Sequence, residues 1–322
     1  MNGMLVKVLT SLAGNGIAQM VAILSLPFIA RLYSVESIGQ YNIFVSSILF
    51  FGVVFSLGFN RVVLYVNNIN EINLILNIYL YLSIIICSFL CLLWLVDFLT
   101  FNYFMVAIGG WVVSWILVFE SILYRDEKFK QQSINHAVFS IYNHPVKIIF
   151  VDVLAASNGL IKITFLAYTL KLLMLIVLIK KSLRFYSASI NFGNIATLWN
   201  QYKNFFTYRY LQSLVASVGA YAPVILIGYF YKNEAAAYLG VSMGVMGAPI
   251  LLLGNSLFNV LQARYAVEKI NVDAIKEYAW INAVLIFLSL LFYVFFTSFG
   301  VQFVELFFGV GWSEVYHYIL II

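Results

Sequence analysis

Five cationic side chains stand within or beside long apolar runs, and their placement is costly enough to require a reason. Lys147 and Lys171 fall near the middle of two such runs, Arg61 and Arg209 a few residues inside the ends of two others, and Arg31 at the end of the first. A charge at a helix centre costs about 2.5–3.5 kcal/mol on insertion scales, so each needs a partner or an aqueous cavity. Ammonium and guanidinium groups are pure hydrogen-bond donors, and guanidinium binds phosphate oxygens two at a time. The chemistry they point to is the holding of an anion. Polar neighbours line up with the two lysines. On a 3.6-residue helix Ser140 and Asn143 share a stripe with Lys147, while Thr164 and Tyr168 share one with Lys171. Gln19, in the first apolar run, is a further polar group of the same kind. Two polar stripes on successive antiparallel helices either face a common wet cavity, or their lysines snorkel and bond backbone carbonyls. For Arg31 and Arg61 the competing reading is a headgroup anchor.

The elements that must position these residues are membrane helices. The 322 residues are 63% hydrophobic, 18% aromatic and only 10% charged, with a mean hydropathy of +0.96. Globular domains average about 45–50% apolar and about 25% charged, so a soluble domain is excluded. Disorder is excluded by the same hydrophobicity. An outer-membrane barrel would show alternating segments of about ten residues, and the runs here are roughly twice that long. The fold class read from composition is all-α, a polytopic transmembrane helix bundle.

Scanning for runs long enough to cross a bilayer gives nine spans: 8–32, 41–66, 74–99, 103–124, 134–156, 160–179, 205–231, 235–263 and 275–299. A tenth run opens at Val315 and reaches Ile322, too short to cross. The only long connection, 181–204, is polar and basic and separates a first bundle, 1–180, from a second, 205–322. With a cytoplasmic N-terminus the inner connections hold Arg125, Lys128, Lys130, Lys180, Lys181, Arg184, Lys203, Arg264, Lys269 and Lys276. The outer ones hold Arg31 and Lys232. That asymmetry predicts a multi-pass protein of the inner cell membrane with its N-terminus in the cytoplasm. It also accounts for the net charge of +5 without nucleic acid. The first run is too long, and broken by Asn15, Gln19 and Pro27, to serve as a cleavable signal.

Other residues read as structural. Cys87 and Cys91 share a helix face without further ligands, and His136, His144 and His317 form no metal spacing, so neither metal nor cofactor is expected. Asp152 and Lys162 flank a hairpin tip and are expected to pair, and Glu120 is expected to sit among Arg125 and Lys128. The six tryptophans fit interfacial belts. Gly240, Gly244 and Gly247 lie in one span and suit close helix packing, a kink or a hinge.

An internal repeat is also visible. Leu26-Pro27, Glu36 and Tyr41-Asn42 match Ala222-Pro223, Glu234 and Tyr238-Leu239: a late proline, an acid in the turn, a tyrosine opening the next helix. Six spans precede the second copy, so both copies share one orientation, which implies two pseudo-symmetric six-helix halves, the second cut short.

The stretch from Gln19 to Ser34, with Pro27 and Arg31-Leu32-Tyr33, continuing to Ile38-Gly39-Gln40-Tyr41, resembles the opening of the polysaccharide-repeat flippases. These are the Wzx type, including O-antigen translocases of lipopolysaccharide synthesis, within the MATE-like exporter superfamily. Gly58-Phe59-Asn60-Arg61 is similar to the signature of their second helix, and Phe308-Gly309-Val310-Gly311-Trp312 to the turn before their tenth. The resemblance spans essentially the whole chain, which ends about two helices before the family pattern does. It implies bundles around a cationic cavity, no catalytic residue, and a polyprenyl-diphosphate-linked oligosaccharide as cargo. A polysaccharide polymerase is then an expected partner alongside membrane lipids. On that reading Lys147, Lys171, Arg61, Arg209 and Arg31 bind substrate, supported by Asn143, Tyr168 and Gln19. A cation-coupled drug exporter of the same superfamily, or a membrane-embedded polysaccharide polymerase or ligase, are the alternatives. The short outer loops, poor in titratable groups, disfavour the enzyme.

Overall fold

The computed structural model describes residues 2–66, 68–151, 159–180, 192–247 and 272–321, and every regular element among them is helical. The helices are α1 (Asn2–Leu32), α2 (Val35–Ser56), α3 (Phe59–Val63), α4 (Ile69–Leu95), α5 (Phe101–Arg125), α6 (Phe129–Asn143) and α7 (Pro145–Ile149). They continue with α8 (Gly159–Ile179), α9 (Phe192–Asn204), α10 (Tyr210–Phe230), α11 (233–247), α12 (Val272–Phe308) and α13 (Val315–Ile321). Six of the described stretches are long and apolar enough to cross a membrane. Their outward flanks carry large apolar side chains such as Ile85, Phe89, Leu290 and Val294, as lipid-facing surfaces must. The chain is a multi-pass membrane protein.

Two interruptions and one extension depart from the spans expected over 41–66, 134–156 and 275–299. The second span stops at Ser56, because Leu57 and Gly58 take positive φ angles of 48° and 82° before α3 begins. Gly58 is needed there twice over. A Cβ on it would stand only 3.0 Å from the Tyr210 Cβ. The fifth span breaks at His144, since Pro145 has no N–H to offer the preceding turn and starts α7 instead. The ninth runs on to Phe308, where Gly309 at φ 97° ends it and a single 3₁₀ turn, Val310–Trp312, leads into α13. The basic connection 181–204 is itself helical from Phe192, and a π-helical turn, Phe205–Arg209, joins α9 to α10.

Contacts divide the chain into two compact units. One comprises Met1–Asn42, His136–Leu160 and Ile227–Ile322, the other Ile43–Asn135 and Ile161–Leu226. The core of the second unit is aromatic: Phe59, Tyr79, Trp115 and Phe119 pack ring on ring, and the Tyr79 hydroxyl donates to Ser114 Oγ at 2.7 Å. Glycines let α2 and α5 touch, because a Cβ on Gly52 would meet Val113 at 2.4 Å and one on Gly109 would meet Ile48 at 2.7 Å.

In the first unit, α1, α11, α12 and α13 surround Phe296, Val304, Trp312 and Ile319. Trp312 Nε1 donates to the Ala30 carbonyl at 3.0 Å and Ser242 Oγ to the Val315 carbonyl at 3.1 Å, so buried polar groups tie helices together. Trp312 and Trp115 are therefore core residues, not members of the interfacial belt expected for them. Near its start α2 meets α11 without clearance. A Cβ on Gly240 would lie 2.2 Å from Asn42 Nδ2, which itself donates to the Ala237 carbonyl. Gly240→Leu is expected to lower stability by about 1–3 kcal/mol through overpacking, read as a reduced thermal midpoint of the detergent-purified chain. An unchanged midpoint would show that the contact yields freely.

Candidate functional site

Each unit carries its own cationic centre. In the first, α7 holds Lys147 with none of its surface exposed. Among the described residues its Nζ has no hydrogen-bond partner, and it lies 4.2 Å from the centre of the Tyr41 ring, the face of which carries the negative end of the aromatic quadrupole. The Pro145 break decides where this lysine points. The backbone N–H of Lys147 bonds the His144 carbonyl at 3.1 Å in a tightened turn, and its carbonyl accepts from the Tyr33 hydroxyl of α1 at 2.7 Å. Asn143, 4% exposed, leaves Oδ1 without a partner, and Ser140 Oγ donates to the Ala18 carbonyl at 2.6 Å. Ser140, Asn143 and Lys147 are all buried, on either side of the break. Gln19, next to Ala18 on α1, is half-buried. Among the described residues no carboxylate pairs with Lys147.

In the second unit Lys171, on α8, is also buried, but it has an acid. Its Nζ stands 2.8 Å from Glu120 Oε1 on α5. This corrects one expectation: Lys171 is not an uncompensated cation, while Arg125 and Lys128 both engage Asp126 at the end of α5. Neighbours in sequence give no hint of the pair because its partners come from helices far apart along the chain. Thr164 is fully buried on the same stripe, and Tyr168 packs against the aromatic core.

Arg61 and Arg209 come together, although 148 positions separate them. Arg61 Nε donates to Ser213 Oγ at 2.9 Å, and that hydroxyl donates to the Arg209 carbonyl at 3.0 Å. The two guanidiniums are near enough to repel, and Arg209 Nη1 reaches Gln212 Oε1 at 3.3 Å. The backbone break at Gly58 lies just before Arg61, and Arg209 ends the π turn Phe205–Arg209. Arg31 behaves differently. Its Nη2 donates to the Leu306 carbonyl in the last turn of α12, where a cation satisfies orphan carbonyls and the helix dipole. The expected Asp152–Lys162 pair lies outside the described residues.

No protein-family model matches the chain, and none of the curated proteins does. Among solved structures, the crystal structure of a MATE proline-to-alanine mutant is similar at a TM-score of 0.61 and 14% identity, covering 98% of this chain and 77% of that one. The fold is MATE-like. Within that fold the buried cations are the feature to be explained, since helix packing alone demands none of them.

Proposed function

We propose that the chain is a flippase that moves a polyprenyl-diphosphate-linked oligosaccharide from the cytoplasmic to the outer leaflet by alternating access. The observation that carries this reading is Lys147, wholly enclosed in a membrane helix with no acid among the described residues. A buried ammonium without a counterion is tolerated when another state of the protein supplies one, and a diphosphate does so. The close pair Arg61 and Arg209 suits capture of the diphosphate at the cytoplasmic side, the side favoured for it by the basic inner connections. The polyprenyl chain stays in lipid while the sugars cross in water. A polysaccharide polymerase on the outer side is the natural receiver of the product.

A cation-coupled drug exporter would need a carboxylate open to its cargo. Glu120, which sits at membrane depth, is held by Lys171 instead. The test is a strain lacking the protein. It is expected to accumulate sugar-loaded polyprenyl diphosphate on the inner leaflet and to lose surface polysaccharide. Normal polysaccharide together with new sensitivity to cationic drugs would transfer the assignment to the exporter.

A further inference from the structure

Glu36 and Glu234, which the internal repeat places at the same step of its two copies, meet in one cavity. It has a volume of about 400 Å³ and is lined by Glu36, Gly228, Tyr231, Lys232, Asn233 and Glu234. Volumes of roughly 300–1,000 Å³ are those of small-molecule sites. Beside it the chain packs tightly, since a Cβ on Gly39 would stand 1.8 Å from the Asn233 carbonyl oxygen. Neither Glu36 nor Glu234 forms an ion pair among the described residues.

The lining mixes acceptors and donors at short range: two carboxylates, one ammonium, one carboxamide and a phenol. A cation site would converge oxygens and exclude Lys232. An anion site would exclude both glutamates. A neutral polyhydroxylated molecule uses all of them, because every hydroxyl both donates and accepts. Tyr231, 76% exposed, adds an open aromatic face to the C–H surface of a pyranose ring.

We infer that this cavity is a saccharide subsite at the outer mouth, holding terminal sugars of the cargo through Glu36, Asn233 and Glu234 with Tyr231 beneath a ring. The inference rests on the flippase reading for the identity of the sugar, while the site's chemistry stands on its own lining. The outer placement follows from the expected cytoplasmic N-terminus, which puts the turns at 33–34 and 231–232 on the outer side. Lys147 has no part in it.

The test uses the full chain purified in detergent. The probe is the free repeat-unit oligosaccharide released by mild acid from lipid-linked material of the source strain, and binding is read by saturation-transfer NMR. The unaltered chain is expected to transfer saturation to the sugar ring protons. The Glu36→Gln, Glu234→Gln double variant, which keeps the lining's size, is expected to weaken transfer about tenfold, as loss of charged hydrogen-bond acceptors does. Tyr231→Ala is expected to abolish transfer to the ring C–H face. Lys147→Met is expected to leave it unchanged, so loss of export in that variant with binding retained separates the cavity from the transport step. Undiminished transfer in the double glutamine and Tyr231→Ala variants overturns the subsite. So does competition of the signal by Ca²⁺ alone, which would make the cavity a cation site. Binding retained in a chain whose deletion leaves polysaccharide normal overturns the flippase reading and keeps the subsite.

Discussion

Lys171→Met is expected to destabilise the protein by about 3–5 kcal/mol, the magnitude seen when one member of a buried ion pair is removed. Glu120 would keep its place near Lys171 on the inside of the bundle, with its carboxylate 2.8 Å from where the ammonium stood. The ionised acid then bears its desolvation without the nearest compensation. Thermal unfolding in detergent should show a lower midpoint, and membrane abundance should fall with it. Replacing both partners, Glu120→Leu with Lys171→Met, should recover most of the loss, since apolar groups of similar size are often neutral or better than a buried pair. That double variant also separates structure from transport. If it is stable and still exports polysaccharide, Lys171 is an internal strut, and the cargo never needed its charge. A single variant as stable as the unaltered chain would mean that the pair contributes nothing to the fold.

The helices are legible in the sequence because bilayer thickness sets a length and apolar content that nothing else imitates. Their ends and breaks are less so. Pro145 is visible in the fifth span, yet composition alone runs the helix through it, since membrane helices accommodate proline when neighbours satisfy the freed carbonyls. Leu57 and Gly58 carry the break in the second span through left-handed backbone, which depends on Tyr210 arriving alongside and is invisible locally. The cations stand out by their cost. Their partners do not, because partnership is a tertiary fact. Lys147 and Lys171 look alike in sequence, each in the middle of an apolar run, and the fold gives one of them Glu120 and the other the face of Tyr41. The meeting of Arg61 with Arg209 through Ser213 is likewise a product of packing. Glu36 and Glu234 are the reverse case. The sequence sets them at matching steps of the expected repeat, and the fold brings them to one cavity.

Lys147→Met divides transport from folding most sharply. Methionine nearly matches the lysine stem in length and removes only the ammonium, which has no hydrogen-bond partner among the described residues. Desolvation then ceases to be a cost, and the cation–π contact with Tyr41, worth up to about 2 kcal/mol when dry, is the only favourable interaction surrendered. Stability is therefore expected to hold or rise, the opposite sign to Lys171→Met. If the proposed flippase reading holds, export falls by about tenfold or more, because the diphosphate loses the one fully enclosed charge available to it among the described residues of the first unit, and a charged hydrogen bond is worth about 1.5–3 kcal/mol. The measurement pairs surface polysaccharide with membrane abundance and the detergent thermal midpoint of the same variant. Full export from Lys147→Met would remove the ammonium from the proposed transport path, and with it the reason offered for a lysine with none of its surface exposed.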